Sequence, residues 1–271
     1  MDGKIVIGMQ MYTLRDFCKS AADIAQTLKK VSTIGYRVIQ ASGMAKIPVK
    51  ELKKIADDNG LYICSSHTGY DAITKELDRI VDEHLLLGCE AVICPALPME
   101  SPGREAFLAA AREFEKVLPK LRANKLILGY HNHSWELEKY GDKTGLELLL
   151  DNCPGLESEI DTYWIQHGGG DPANWIEKYS GRASEVHFKD MGNSRGEHTI
   201  PPIGAGNLDW SKILKACRKA RTRYALVEMD TPTIEPFEAA RISFENMRHH
   251  ISHIQKTPMT AHVLGTNAHS I

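Results

Sequence analysis

The sequence of 271 residues lacks several features that would place a protein in a broad class at once. No apolar run approaches the roughly 20 residues that cross a bilayer, so we expect no membrane partner. The formal net charge of -2 gives no excess of basic residues, which argues against a nucleic-acid partner. The N-terminal segment MDGKIVIGMQ lacks the basic start and long apolar stretch of a signal peptide. We therefore expect a cytoplasmic protein.

Cysteine is present, but it is not arranged for a zinc site or a disulfide framework. The six cysteines are scattered and include no CxxC pair, which argues against a zinc site with cysteine ligands. Cys64 lies in the apolar run LYICSS and Cys94 lies in AVICPAL. We expect these thiols to be reduced and buried in the core.

Short apolar runs alternate with amphipathic segments along almost the whole chain, as in α/β proteins. The predicted strands are Lys4–Gln10, Tyr36–Ala41, Leu61–Ser66, Glu90–Cys94, Lys125–Tyr130, Leu156–Asp161, Ala183–Phe188 and Tyr224–Glu228. The predicted helices are Ser20–Ile34, Pro48–Asn59, Ile73–Leu87, Arg104–Arg122, Gly145–Asn152, Pro172–Tyr179, Leu208–Ala220 and Pro236–Ile254. Eight strand–helix units in about 250 residues have the count and length of a single (β/α)8 TIM barrel.

The competing architecture is a doubly wound open sheet, which requires a glycine-rich turn after its first strand. Here that turn is MQMYTLRD, which has no glycine pair. The sequence contains no linker or low-complexity stretch. We therefore predict one barrel domain over residues 1–255 and a C-terminal tail over residues 256–271.

The segment KLILGYHNHSWE places an unusual group of polar residues directly after a predicted buried strand. Tyr130, His131, Asn132, His133 and Glu136 fall within seven positions. A polar surface turn is the alternative, but loops at strand ends are where α/β folds usually build their sites. The segment therefore indicates a functional site at the barrel mouth.

Other predicted strands also end in polar residues, and a barrel brings all of these ends to one mouth. The polar residues at the strand ends are Gln10, His67, His131, His133, Glu136, Asp161, Glu185, His187, Lys189, Asp190, Glu228 and Asp230. In EVHFKD, side-chain alternation directs Val186 and Phe188 towards the helices, and His187 and Lys189 towards the barrel axis.

Four of these residues come from successive strands and have the chemistry of metal ligands. They are Glu136, Asp161, His187 and Glu228. Carboxylates that point into one cavity need a cation to remain charged together. Three oxygen ligands and one imidazole suit Mn²⁺ best, and also Mg²⁺, Co²⁺ or Zn²⁺. The alternative is a set of separate salt bridges with arginine and lysine partners.

Several motifs resemble the sugar phosphate isomerase/epimerase family, the xylose-isomerase-like TIM barrels, over nearly the whole chain. GMQMYTLRD resembles the first strand of that family, HFKD the seventh, PIGAGNLDW the following loop and LVEMD the eighth. GYHNHSWELE is similar to the fifth strand of a branch with a tyrosine and an HNH motif. In the D-tagatose and D-psicose epimerases of the same superfamily, a glutamate on this strand is the first metal ligand. Tyr130 stands at about that point here, so we expect Glu136 to be the replacement ligand. Gln40 stands where many relatives have glutamate.

PIGAGNLDW contains glycines but lacks the lysine and the Ser/Thr of a P-loop. We therefore interpret it as a sharp turn into the following helix.

The resemblance implies a divalent metal that acts as a Lewis acid on a sugar carbonyl, and a base that removes a neighbouring proton. His133 is the expected base, although a buried or capped histidine is the alternative for this residue. Glu159 or Lys189 would supply or stabilise the second proton. The expected substrate-binding residues are Gln10, His67, His131 and Trp164.

The intermediate expected from such a proton abstraction is an enediolate, which leads to epimerisation, isomerisation or elimination. The resembling branch includes subunits that cleave 3-oxo-glycosides, including C-glycosides, often beside a partner subunit, and inosose dehydratases are a further eliminating relative. The expected partner is therefore a small sugar or glycoside, with a homo-oligomer or hetero-oligomer as the assembly. An endonuclease IV-type barrel would need three zinc ions and a basic face, and the net charge of -2 and the few matching His and Glu motifs argue against it. A non-catalytic sugar-binding barrel is the other class.

Overall fold

The computed structural model describes residues 4–98 and 103–256, and these fold around a closed barrel of eight parallel strands. The barrel strands are β1 Val6–Gln10, β2 Val38–Ala41, β3 Tyr62–His67, β4 Ala91–Cys94, β5 Ile127–His131, β6 Glu157–Asp161, β7 Glu185–Phe188 and β8 Tyr224–Val227. Each strand pairs with its neighbours in sequence, and β8 pairs in parallel with β1, which closes the barrel. The predicted fold class is confirmed.

Helices surround the barrel and connect its strands. They are α1 Ala21–Ile34, α2 Val49–Asp58, α3 Tyr70–Lys75, α4 Leu77–Leu87, α5 Arg104–Ala123, α6 Gly145–Asp151, α7 Thr162–His167, α8 Pro172–Lys178, α9 Trp210–Ala220 and α10 Pro236–Lys256. The chain also forms 3-10 helices at Met11–Phe17 and Trp135–Leu137, and hairpins at 139–144 and 192–199. Of the predicted C-terminal tail, residues 257–271 lie outside the described residues.

Two features of the helical layer differ from the prediction. The single helix predicted over Ile73–Leu87 is divided into α3 and α4, because Glu76 has the non-helical torsion angles φ -126° and ψ 31°. Helix α7 was not predicted, and it begins where the Asp161 side chain accepts a hydrogen bond from the Trp164 amide at 3.0 Å. Asp161 therefore ends a strand and caps a helix at the same position.

The lower interior of the barrel is apolar, and its strands approach closely. A separate cluster of buried side chains contains Val38, Cys64, Tyr224 and Leu226. A Cβ atom at Gly8 would lie 2.6 Å from Leu226 Cδ2 and 3.2 Å from the Val38 carbonyl oxygen, so a larger residue at this point of β1 would require the Leu226 side chain to move. Because side chains alternate along a strand, Leu226 lies below Glu228 on the inner face.

The larger apolar core lies between the barrel and the helices. It includes Val186 and Phe188 of β7, on the outer face that alternation predicted. All six cysteines are buried free thiols, as expected. Within the described residues, no helix is long and apolar enough to cross a membrane.

Candidate metal centre and barrel mouth

Four side chains converge at the C-terminal ends of the last four barrel strands. They belong to His131 of β5, Asp161 of β6, His187 of β7 and Glu228, which directly follows β8. All four are buried, and their potential ligand atoms lie within 4.8 Å of one another. The parallel register explains part of this convergence, because Asp161 pairs with His187 and His187 pairs with Leu226, two residues before Glu228. Two imidazoles and two carboxylates therefore form a group that could hold a divalent metal.

His187 is the centre of this group. Its Nδ1 lies 2.9 Å from Glu228 Oε2 and 3.8 Å from Asp161 Oδ2. His131 Nε2 approaches the same Asp161 oxygen at 3.3 Å. Asp161 Oδ1 caps α7, so one oxygen of this carboxylate is fixed by the backbone and the other faces the imidazoles.

Lys189 brings a buried ammonium against the acidic members of the group. Its Nζ lies 2.9 Å from Asp161 Oδ2, 2.8 Å from Glu228 Oε2 and 2.6 Å from Asp230 Oδ2. The ammonium also lies 5.4 Å from the centre of the Trp164 ring. A fully buried lysine requires such partners, since an isolated charge is strongly disfavoured in a protein interior.

The positive and negative groups at this site stabilise one another's charged forms. Burial acts to raise the pKa of Glu228, but the Lys189 ammonium and His187 outweigh it and hold that pKa well below its usual range. The pKa of Asp161 is likewise lowered, because the Lys189 charge and His131 overcome burial. Both carboxylates are therefore ionised at neutral pH, as metal ligands must be.

A second polar layer lies beneath the metal group. Glu159 Oε2 accepts from His67 Nε2 at 2.9 Å and lies 3.1 Å from His187 Nε2. The Gln40 side chain donates to the other Glu159 oxygen and lies 2.7 Å from His187 Nε2 through its own oxygen. Gln10 donates to the same Gln40 oxygen. The two nitrogens of His187 thus face different layers, a carboxylate below and the metal group above.

Glu159 and Glu185 form a pair of buried acids in this layer. The pKa of Glu185 is raised well above its ordinary value, by burial first and then by the negative charge of Glu159. Ser65 and Gln40 donate to Glu185 Oε2 at 2.5 Å and 3.2 Å. Glu185 is therefore the protonated member of the pair at neutral pH, and Glu159 the ionised one.

The structure places Glu136, the predicted fourth ligand, outside the group of four. One Glu136 oxygen accepts from the Tyr130 hydroxyl at 2.7 Å, and the other accepts from the His133 amide at 2.9 Å. The 3-10 helix at Trp135–Leu137 turns this carboxylate back towards β5. Burial raises the pKa of Glu136. The fourth member of the group is His131, which was predicted to contact the substrate, instead of Glu136.

His133 lies beside the group rather than within it. Its ring stacks on Trp135 with centroids 4.0 Å apart, and lies 5.4 Å from Trp164 and 4.8 Å from His131. Its buried Nδ1 has no hydrogen-bond partner among the described residues. Burial lowers the pKa of His133 to about 2, assisted by His131 and Lys189, so this ring is uncharged at neutral pH. Trp164 Nε1 is also buried without a partner in the described chain.

Asp190 occupies the glycine-containing loop after β7. Its Oδ2 accepts from the backbone amides of Gly204 at 2.8 Å and Gly206 at 3.0 Å, and from Trp210 Nε1 at 2.8 Å. The Asp190 carboxylate thus accepts the hydrogen bonds of the loop amides that could otherwise bind an anion. The interpretation of PIGAGNLDW as a structural turn agrees with this arrangement.

Most predicted site residues lie in the two layers described above. Those in contact with one another there are Gln10, His67, His131, Glu159, Asp161, His187, Lys189 and Glu228. Gln40 and Asp230 also belong to the site, although no role was predicted for either of them. Alternation in VIQASG would have placed Gln40 on the inner face, and Asp230 follows the ligand candidate Glu228 by two positions.

The fold is a (β/α)8 barrel with a buried group of potential metal ligands at its mouth, and comparison with known proteins shows the family to which the chain belongs. Residues 28–250 match the family model described as xylose isomerase-like TIM barrel, so the chain belongs to that family. A comparison with curated proteins finds no match.

Solved structures agree with the family assignment over the whole barrel. The chain is similar to a sugar phosphate isomerase/epimerase from Parabacteroides distasonis ATCC 8503, with 25% identity, a TM-score of 0.71, and 95% of this chain and 96% of that chain covered. It resembles in fold a D-allulose 3-epimerase from Methylomonas sp., with 16% identity, a TM-score of 0.67, and coverage of 91% and 98%. It also resembles the IOLI protein with a bound zinc atom, with 12% identity, a TM-score of 0.71, and coverage of 93% and 100%.

Proposed function

We propose that the protein is a divalent-metal-dependent sugar isomerase or epimerase that acts by abstracting a proton next to a carbonyl. The observation that carries this proposal is the buried group of His131, Asp161, His187 and Glu228 at the mouth of the barrel. Ionised carboxylates and imidazoles that converge within 4.8 Å have the chemistry of a metal site. The family supports the reaction type, because similar structures include an isomerase/epimerase and a D-allulose 3-epimerase.

The expected metal is Mn²⁺, with Zn²⁺, Co²⁺ and Mg²⁺ as the ions to compare with it. Two imidazoles among four donors favour Mn²⁺, Co²⁺ or Zn²⁺ over Mg²⁺, which prefers oxygen ligands. The zinc atom bound to the IOLI protein, which has a similar fold, supports an ion of this kind rather than Mg²⁺. When bound, the ion would act as a Lewis acid that draws electrons from the substrate carbonyl.

His133 is the base in this proposal. Its Nδ1 is buried without a hydrogen-bond partner in the described chain, and with the ring proton on Nε2 the Nδ1 lone pair would be free to accept a substrate proton. The negative charges of Asp161 and Glu228 act to raise the pKa of the ring, and they would stabilise the imidazolium that forms during transfer. The Trp135 ring holds the imidazole in plane-to-plane contact and fixes its direction.

Lys189 and Glu159 have supporting roles in this proposal, one towards the charge of the intermediate and one towards the histidines. The Lys189 ammonium lies at the level of the carboxylates that would hold the metal, where it would stabilise the oxyanion of an enediolate. Glu159 lies one layer lower and contacts His67 and His187, so its proposed role is to orient these imidazoles. Gln10 and His67 would contact the substrate from the β1 and β3 side, and Trp164 from the β6 side.

Elimination is the second candidate outcome from the same intermediate, and 3-oxo-glycosides, including C-glycosides, are its proposed substrates. The aromatic side chains of Trp135 and Trp164 flank His133 and would accommodate a bulky leaving group beside the reacting carbon.

The test is incubation of the Mn²⁺-loaded protein in D₂O with a panel of keto-sugars, sugar phosphates and 3-oxo-glycosides. Deuterium at a substrate carbon demonstrates proton abstraction, and the products distinguish an epimer, an aldose–ketose isomer and an eliminated fragment. Protein with Glu228→Gln is the matched control, since it retains side-chain volume but loses a charged donor. Absence of exchange for every substrate with each of Mn²⁺, Co²⁺, Zn²⁺ and Mg²⁺ would reject the proposed reaction.

A further inference from the structure

Asp230 adds a third carboxylate to the site, outside the group of four potential ligands. Its Oδ2 lies 2.6 Å from Lys189 Nζ, which is the shortest of the three distances from that ammonium to a carboxylate oxygen. Within the described chain, this buried oxygen accepts no hydrogen bond from another group. The Lys189 ammonium is therefore the partner that compensates the charge of Asp230.

The backbone that carries the Asp230 side chain is fixed by the 3-10 helix that follows β1. The Met229 amide donates to Thr13 Oγ1 at 2.9 Å, and the Asp230 carbonyl accepts from the Arg15 guanidinium at 2.9 Å. Lys189, on the other side of the ion pair, is fully buried. Both members of the pair are thus held by their surroundings, so the carboxylate is positioned against the ammonium before any ligand binds.

The Lys189 ammonium also contacts the two carboxylates that are proposed to hold the metal. It lies 2.9 Å from Asp161 Oδ2 and 2.8 Å from Glu228 Oε2. A divalent ion at these oxygens would be repelled by the ammonium, because like charges a few ångströms apart in a buried site repel strongly. The ammonium therefore competes with a metal ion for the same two oxygens.

The charge of Asp230 offsets this competition. Imidazoles that bind a metal are uncharged, so the ionic groups in contact with Lys189 would be three carboxylates and the bound ion. Three negative charges, one ammonium and one divalent ion sum to zero. Without the Asp230 charge the same groups would carry a net positive charge, which a buried site disfavours.

We propose that Asp230 is a positioning residue that holds the Lys189 ammonium and thereby leaves the oxygens of Asp161 and Glu228 available to a divalent ion. This inference rests on the proposed function for the existence of the metal centre. It assigns to the chain a residue that sets the metal affinity of the site without ligating the metal.

The test is a double-mutant cycle in which calorimetric titration with Mn²⁺ measures the affinity of the full chain and its variants. Asp230→Asn retains side-chain volume but removes the charge, and should weaken Mn²⁺ binding about 10- to 100-fold, the usual effect of a lost outer partner. Lys189→Met should bind Mn²⁺ more tightly than the unmodified protein, because the competing ammonium is gone. In the Lys189→Met background, the loss caused by Asp230→Asn should be smaller by at least about threefold, which exceeds the deviation expected of independent sites.

The control for a general loss of negative charge is Asp171→Asn. It neutralises an exposed carboxylate that pairs with Lys212, and it should leave the Mn²⁺ affinity unchanged. Circular dichroism verifies that each variant is folded. If Lys189→Met does not fold, Lys189→Gln takes its place in the cycle.

The outcomes separate this inference from the proposed reaction. The expected cycle supports the role of Asp230 even if no sugar exchanges deuterium, in which case only the proposed reaction fails. Unchanged Mn²⁺ affinity in Asp230→Asn would overturn the role and leave the metal centre in place.

Two further results would also overturn the role of Asp230. A similar or larger loss in the Lys189→Met background would show that Asp230 attracts or ligates the ion directly. Weaker Mn²⁺ binding by Lys189→Met than by the unmodified protein would contradict the competition on which the role depends. No binding of Mn²⁺, Co²⁺ or Zn²⁺ to the unmodified protein would reject the metal centre together with this role.

Discussion

The ammonium of Lys189 lies 2.9 Å from Oδ2 of Asp161, the same oxygen that faces His187 Nδ1 at 3.8 Å. A lysine and an imidazole thus share one carboxylate oxygen in the group proposed to bind a metal. The ammonium compensates the negative charge of this group from within the chain. A divalent ion would supply a second compensation at the same oxygens, so Lys189 and the metal are expected to be energetically coupled.

Replacement of Lys189 by Met should therefore make the protein more dependent on metal. Removing one partner of a buried ion pair costs about 3–5 kcal/mol, because the remaining carboxylates are left uncompensated. We expect Lys189→Met in EDTA to lose about this free energy of unfolding and Mn²⁺ to restore most of it. Urea unfolding with and without Mn²⁺ measures both effects. Lys212→Met, which removes an exposed pair with Asp171, is the control, and equal Mn²⁺ stabilisation in both variants would contradict the coupling.

The fourth metal ligand can be assigned by comparing His131→Ala with Glu136→Gln. We expect His131→Ala to reduce Mn²⁺ affinity by at least the roughly 10- to 100-fold that loss of an outer partner causes. Glu136→Gln should bind Mn²⁺ nearly as well as the unmodified protein but unfold about 1–3 kcal/mol more easily, because an amide cannot accept from both Tyr130 and His133. Calorimetric titration with Mn²⁺ decides between them, and the opposite pattern would make Glu136 the ligand.

The role of His133 predicts a specific defect. His133→Ala should retain metal and substrate binding, because the ring lies beside the group of four and not within it. It should lose substrate C–H exchange into D₂O by about 10²–10⁴-fold, the usual contribution of a positioned base. Proton NMR of the substrate measures the exchange. Near-normal exchange in His133→Ala combined with an inactive, metal-loaded His131→Ala would transfer the role of base to His131.

The buried acid pair predicts a pH dependence of stability. Because the pKa of Glu185 is raised in the folded state, the native protein holds a proton that the unfolded chain releases above its ordinary pKa of about 4.5. The free energy of unfolding should therefore fall as pH rises above about 4.5, until the folded-state pKa of Glu185 is reached, by up to about 1.4 kcal/mol per pH unit. Glu185→Gln, an isosteric mimic of the protonated acid, should lack this contribution. Urea unfolding at several pH values measures the difference, and parallel pH profiles would show that Glu185 is ionised.

The barrel was predictable because its signals are local and repeated. Short apolar strands alternate with amphipathic helices, and side-chain alternation directs His187 inward once β7 is recognised. The parallel register then brings Asp161 and His187 together without any further information. These relationships follow from the period of two in a strand and from the closure of the barrel.

The position of Glu136 was not predictable by the same reasoning. Its spacing from His133 is compatible with several backbone paths, and the 3-10 turn at Trp135–Leu137 selects the one that returns its carboxylate to Tyr130. The break at Glu76 between two helices has no glycine or proline to announce it. The deep layer around Gln40 depends on contacts between strands that are far apart in sequence, which no local pattern encodes.

The seam between the first and last strands has a kinetic consequence. Val6 pairs with Tyr224 across it, and the Met229 amide donates to Thr13 Oγ1 over a sequence separation of 216 residues. We expect contacts between such distant residues to form late in folding, because closing so long a loop costs more conformational entropy than forming a local contact. Glu228 reaches the mouth only with that last strand, so the site is completed in the step that closes the barrel. The rate of metal uptake during refolding would therefore report the rate at which the barrel closes.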